Sequence, residues 1–187
     1  MRRKDFEKEQ RVKQAVVRLI LEEGFEGASI AKIARAAGVS PATVYIYYEN
    51  KEQMLASIYR EYATNAYEYL AAQMRAEMDA AQLVRALMTG YYSYITENLE
   101  TFRFVERCAH CPTLAAQVCG EDMCQLFDLL DCLKERGSLR RYSNENLASV
   151  MFCPVKALSM DYPAGDSHAA QLLDELIGII QRAIVNE

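Results

Sequence analysis

The sequence predicts an all-α chain in two parts, an N-terminal three-helix domain over residues 1–50 and a longer helical domain over residues 51–187. Three observations predict it. Apolar residues recur three and four apart along most of the chain, and no segment alternates with the period of two that marks a strand. Breakers are scarce, with eight glycines and four prolines among 187 residues. The stretch Ser29–Lys51 (SIAKIARAAGVSPATVYIYYENK) reads as two short helices joined by a tight glycine turn, with a third helix opening at Asn50.

That stretch can be justified residue by residue. Ser29 caps a helix whose apolar side is Ile30, Ile33, Ala34 and Ala37. Gly38 ends it, because glycine takes a left-handed backbone at no steric cost. Val39 plugs the gap between the helices. Ser40 caps the next helix and Pro41 occupies its first position, where a missing N–H costs nothing. Val44 and Tyr48, four apart, face the core. Ala42, Thr43, Tyr45 and Ile46 then point away from it, with Tyr47 at the flank. A solvated helix face normally carries Glu, Lys or Gln, whereas this one is small, hydroxylated and aromatic, with no acid. It suits a DNA major groove: Ala42 and Ile46 to thymine methyls, Thr43 and Tyr45 to base edges or phosphates. Asn50 and Gln53 form a capping box for the third helix. Lys51 then lies in a first turn, where the helix dipole disfavours a cation unless a phosphate lies beside it.

Residues from about 10 to 55 resemble the DNA-binding domain of the TetR family of bacterial transcriptional regulators. The matching segments are AVVRLILEEGFEG (from Ala15), SIAKIARAAG (from Ser29) and VSPATVYIYYENKEQML (from Val39). The last is the most specific, since the family runs Val-Ser-x-x-Thr-hydrophobic-Tyr-x-aromatic-aromatic-x-x-Lys-Glu. The resemblance implies that Thr43, Tyr45, Tyr47 and Lys51 touch DNA and that Ser29 and Ser40 are phosphate-contacting caps. With Lys32, Pro41, Ala42 and Ile46 they make up the expected DNA-binding set. Ala31 departs from relatives that place a base-reading arginine there, which leaves the operator sequence open.

Beyond Asn50 the periodicity predicts a helix from Lys51 to about Met78, then helices at about 81–98 and 101–110, a break at Pro112, and a helix at 121–136 ended by Gly137. Ser143 caps a helix to about Asp161, bent by Pro154. The last helix runs from about Asp166 to Val185. Its apolar residues, among them Leu173, Ile177, Ile179, Ile180 and Ile184, fill about half the wheel, more than one core-facing stripe needs. A second subunit accounts for the excess. In the resembling family the last two helices pair with their copies, which implies a homodimer, and the region before them holds a small-molecule effector pocket. The second domain is therefore expected to bind an effector and to dimerise. Seven of the twelve tyrosines fall between Tyr59 and Tyr94. Tyr62, Tyr91, Tyr94, Cys108, Met123 and Phe127 are the expected ligand-binding residues.

Composition agrees. The chain is 51% apolar and 25% charged, globular in class. Its net charge of −5 divides unevenly: residues 1–51 hold ten Lys/Arg against seven Asp/Glu, and residues 52–187 hold eleven against nineteen. The positive end coincides with the DNA motif. Arg2, Arg3 and Lys4 have two readings, a mobile arm reaching a phosphate or minor groove, or a disordered start. No apolar run is long enough for a membrane span, and the charged N-terminus does not fit a signal peptide, so a cytoplasmic protein is expected.

All six cysteines, 108, 111, 119, 124, 132 and 153, lie in the second part. Cys108-Ala-His110-Cys111 has metal-like spacing but lacks a second pair, so packing thiols are the first reading. A thiol- or metal-responsive regulator using Cys108, His110 and Cys111 is the alternative. No nucleophile–base or carboxylate pair occupies a defined motif. The sequence-level reading is a ligand-responsive regulator, a repressor released from a palindromic double-stranded DNA operator by an unknown small molecule. Neither an enzyme nor a cofactor is expected.

Overall fold

A computed structural model describes residues 2–75, 77–115, 124–162 and 165–186. The described residues form ten helices and no strand; an isolated bridge pairs Leu139 with Val185. The helices are α1 (Arg2–Gly27), α2 (Ile30–Ala37), α3 (Pro41–Tyr47), α4 (Lys51–Ala71), α5 (Ala80–Glu97), α6 (Leu99–Ala109), α7 (Pro112–Ala115), α8 (Cys124–Glu135), α9 (Asn144–Asp161) and α10 (Ser167–Ile184).

The chain packs as two units, one from residues 1–63 with 100–119, the other from 64–99 with 120–187. In the first, Val12, Val16 and Ile20 on α1 recur every fourth residue and bury one stripe. They join Ile33 and Ala37 of α2, Val44 of α3, Met54 and Ile58 of α4, and Phe104 and Cys108 of α6. Arg107 of α6 donates from one guanidinium nitrogen to the carbonyls of Ile20 and Leu21, both at 3.0 Å.

Helix α1 begins at Arg2, so the backbone of Arg2, Arg3 and Lys4 is helical. This corrects the expectation of a disordered start. The segment is rich in Lys, Glu, Gln and Arg, which favour helices, and Glu9 and Lys13 make an i,i+4 pair at 3.1 Å. Gly24, at φ 76° and ψ −178°, kinks the end of α1, a backbone that only glycine adopts without strain.

The second unit centres on α5, α8, α9 and α10. Its core includes Leu83 and Leu87, Leu126 and Leu130, Leu147 and Met151, and Leu173 and Ile177. Arg85 pairs with Asp174 at 2.6 Å, and the Gln181 amide donates to the Ala81 carbonyl at 2.8 Å. The backbone N–H of Arg140 donates to Ile184 at 2.9 Å, tying the chain end to the loop after α8.

Most boundaries fall near the expected ones, but α4 ends at Ala71 rather than near Met78. The N–H groups of Gln73 and Met74 reach back only three residues, to Leu70 and Ala71, which tightens and closes the helix. Asp79 then caps α5 in a reciprocal capping box with Gln82, and a capping residue needs extended backbone, here φ −72° and ψ 170°. Gly137, at φ 75°, follows α8 as expected. The expected start of α8 at Glu121 lies outside the described residues, as do Cys119 and the expected ligand residue Met123. Ser143 caps α9, which contains Pro154 as one helix, and the Asp166 carboxylate caps α10 through the N–H groups of His168 and Ala169.

Candidate nucleic-acid interface

Helices α2 and α3 are built as their local sequence requires. The Ser29 hydroxyl accepts from the Lys32 N–H at 3.3 Å, and Gly38 closes α2 in the left-handed region at φ 64°, ψ 39°. Val39 packs on the first unit's core. The Ser40 hydroxyl accepts from the Thr43 N–H at 3.2 Å and lies 2.9 Å from the Thr43 hydroxyl, with Pro41 in the first turn. Val44 and Tyr48 are buried. Burial, followed by the charges of Glu9 and Glu61, holds the Tyr48 hydroxyl far above its ordinary pKa.

With those two residues inside, the other face of α3 is outside. Pro41, Ala42, Tyr45 and Ile46 are exposed, and Ile46 keeps 77% of its surface in solvent and Tyr45 55%. Ser29 and Ser40 are exposed caps and Thr43 is half-buried. Beyond the Ser29 and Ser40 caps and Thr43, three members of the expected set have side-chain partners on other elements of the protein. The Tyr47 hydroxyl donates to the Asp5 carbonyl at 2.9 Å, Lys32 pairs with Glu23, and the Lys51 ammonium donates to the Phe25 carbonyl at 2.5 Å. The Asn50 side chain accepts from the Gln53 N–H at 2.7 Å, one half of the expected capping box. Lys51 therefore stands at the start of α4 satisfied by the end of α1, a carbonyl partner that sequence spacing gives no sign of.

The expected ligand residues divide between the units. Tyr62 is half-buried in the first, edge-on to Phe104 at 6.1 Å, and lines a groove of about 540 Å³ with Arg11, Gln14, Arg18 and Glu100. Cys108 is fully buried in the same unit. In the second, Tyr94 is buried against Tyr69 at 5.4 Å, Tyr91 meets Phe152 at 5.0 Å, and Phe127 packs on the core. A separate open cavity of about 430 Å³ is lined by Met74, Arg75, Gln125, Asp128, Leu129 and Cys132.

The thiols give no support to the sensor alternative. Burial, followed by the neighbouring Cys111, pushes the Cys108 thiol up to about 12, whereas a sensing thiol needs a depressed value. The His110 ring nitrogen Nδ1 is 2.7 Å from the Glu106 carbonyl. Among the described residues no three His, Cys, Asp or Glu side chains are grouped to hold a metal ion.

Sequence reasoning missed Lys13. It is only 5% exposed, yet its ammonium reaches Glu61 and Glu9. A lysine on the apolar stripe of α1 is the signal that was available. Burial lowers its pKa, and the hydrogen bonds and charges of the two carboxylates more than offset this, leaving it above the ordinary 10.5.

A serine-capped helix, a left-handed glycine turn and a second helix with an exposed, acid-free face make up a helix-turn-helix, the arrangement of a DNA-reading motif. The sequence model described as bacterial regulatory proteins, tetR family, matches residues 14–58. A TetR family transcription regulator from Marinobacter aquaeolei VT8 superposes with a TM-score of 0.84 and 26% identity over 100% of both chains. A structure from Shewanella sp. PV-4 gives a TM-score of 0.77 at 19% identity, covering 96% of this chain and 99% of that one. The fatty acid metabolism regulator protein of Bacillus subtilis (strain 168) is 28% identical over 81 residues, 43% of this chain and 42% of that protein. The HTH-type transcriptional regulator BetI of Rhizobium meliloti (strain 1021) is 34% identical over 74 residues, 40% of this chain and 36% of that protein. The aligned segments thus span less than half of either curated relative. Residues 14–58 thus carry the tetR-family pattern, and the chain as a whole is similar in fold to TetR-family transcription regulators. No helix among the described residues is long and apolar enough to cross a membrane.

Proposed function

We propose that the chain is a homodimeric repressor that leaves a palindromic operator when a small molecule binds. The observation that carries the DNA reading is the exposed, acid-free surface of α3, with Ala42, Tyr45 and Ile46 in solvent while Val44 and Tyr48 anchor the helix from beneath. In this reading Thr43 and Tyr45 meet base edges or phosphates, and Ser29 and Ser40 present hydroxyls and backbone N–H groups to phosphates. Lys32, Tyr47 and Lys51 exchange their internal partners for the DNA backbone. Residues 1–50 read DNA and residues 51–187 bind the effector and dimerise.

A dimer is supported by apolar surface left on α9 and α10. Ile179 is 54% exposed and Val150 41%, and a hollow of about 330 Å³ is lined by Tyr142, Leu147, Val150, Ile180 and Ala183. A second copy laying its own α9 and α10 there buries these groups and holds two reading heads at a fixed spacing.

The open cavity of about 430 Å³ beside Met74, Leu129 and Cys132 supports an effector site in the second unit. The chain passes from one packing unit to the other within α4, so a ligand that favours one setting of that helix shifts the population of DNA-competent dimers by its differential affinity. Native mass spectrometry of the protein purified from cells, followed by gel shift with and without the recovered ligand, tests the reading. Release of bound duplex by the ligand supports repression by effector release; tighter binding makes the chain a ligand-dependent binder and overturns that part.

A further inference from the structure

We propose that this regulator reads its operator chiefly through thymine C5-methyl groups, in A·T-rich half-sites, and not through guanine. The proposal rests on the reading of α3 as the helix that enters the major groove.

The argument starts from what α3 lacks. Guanine is recognised through its O6 and N7 acceptors by a paired donor, above all Arg or Lys, and adenine by Asn or Gln. The helix Pro41-Ala-Thr-Val-Tyr-Ile-Tyr47 contains none of these. Two of its three hydroxyls are already engaged, Thr43 against Ser40 at 2.9 Å and Tyr47 with the Asp5 carbonyl at 2.9 Å. Two nearby cations, Lys32 and Lys51, are held by Glu23 and the Phe25 carbonyl and in the proposed reading go to the DNA backbone, not to base edges. On α2, position 31 holds the methyl of Ala31.

What α3 offers is apolar surface. Ile46 leaves 77% of its area in water, next to Tyr45 at 55%, and neither packs on a hydrophobic cluster of the protein. Thymine is the one base whose major-groove edge carries an apolar group, with an O4 acceptor beside it. Ala42 and Ile46 are four residues apart on one face, roughly 6 Å along the axis, close to two base steps of about 3.4 Å each. Two methyls spaced so along one strand meet both side chains, and the Tyr45 hydroxyl is placed to donate to O4 or a phosphate.

The test uses the full chain. A random duplex pool is enriched over several rounds on the purified protein. The enriched duplexes are then remade with single thymidines replaced by deoxyuridine, which removes the methyl and nothing else. The expected result is A·T-rich half-sites in which each contacted methyl contributes about fourfold in affinity, the size of one buried methyl group. Ile46→Ala should retain the wild-type melting temperature and lose the deoxyuridine effect at one position per half-site; for the wild type, a C·G pair placed there should bind more tightly when its cytosine is 5-methylated. Guanine-centred sites indifferent to complete replacement of thymidine by deoxyuridine would overturn this inference and leave the DNA-binding reading intact. Failure to enrich any duplex at low salt would overturn both.

Discussion

The Lys13 ammonium of α1 donates to both carboxylate oxygens of Glu61 on α4, at 2.9 Å and 2.6 Å. The two residues are 48 apart in sequence. The pair ties the first helix to the middle of the long fourth helix and lies near the buried Tyr48 hydroxyl, whose electrostatic neighbours include both Glu9 and Glu61. Lysine is expelled from apolar cores unless it is paired, so the pair explains how Lys13 is tolerated there.

Removing one partner should therefore cost more than removing both. Glu61→Gln should lower stability by about 1–3 kcal/mol, below the cost of breaking a fully buried pair because the carboxylate is partly solvated. Lys13→Met combined with Glu61→Leu should recover most of that loss. Urea unfolding of the three proteins measures it, and a Glu61→Gln variant as stable as wild type would show that the pair contributes nothing.

The thiol of Cys108 gives the first unit a pH dependence with a definite sign. Its pKa lies at about 12 in the folded chain, against an ordinary 9.0. The folded state holds the proton more tightly, so this contribution is complete below about pH 9 and is lost as pH rises through about 12. Lys13, also raised, acts in the same sense above its ordinary 10.5. Cys108→Ala should flatten the decline in stability between about pH 9 and 12. Iodoacetamide at neutral pH should leave native Cys108 unmodified; rapid labelling there would mean that the thiol is accessible.

Two isoleucines of α10 separate dimer formation from folding. Ile177 is 1% exposed within the chain and Ile179 is 54% exposed. Ile179→Glu should yield a folded monomer, because it places charge on the proposed subunit face. Ile177→Glu should unfold the second unit, because it buries an unpaired carboxylate in the core. Sedimentation velocity and circular dichroism distinguish the two. A wild-type monomer at micromolar concentration would remove the dimer proposal.

On DNA, Tyr45→Phe and Thr43→Ala should weaken specific binding by about 1–3 kcal/mol wherever a base contact is lost, with less effect on non-specific duplex. Lys51→Ala should weaken both kinds of binding alike and lower the salt slope by about one unit. Its bond to the Phe25 carbonyl adds a second effect, a stability loss of about 1–2 kcal/mol. Gel shifts across a salt series, run well below the melting temperature, read both. Unchanged affinity in all three variants would show that this face does not read DNA.

The helix-turn-helix was legible because its signals are local. A serine oxygen meets an N–H three residues on, a glycine takes a left-handed turn, and a proline occupies a first helical position; each is decided by its own few residues. Helical phasing likewise placed Val44 and Tyr48 inward and Tyr45 and Ile46 outward, and put nearly every later helix within a few residues of its observed place. Where α4 ends was only half visible: the Asp79–Gln82 box is written in the sequence, but the apolar stripe continues through Met74 and Met78 and masks the stop. Tertiary structure alone decided the rest. It joined α6 to the first unit through Arg107, sealed Cys108 in that core, and assigned Lys13 to Glu61, Lys51 to Phe25 and Tyr47 to Asp5. Those partners are 26 to 87 residues apart. Periodicity reports which side of a helix faces inward, but not which distant group is waiting there, because that depends on how whole helices pack.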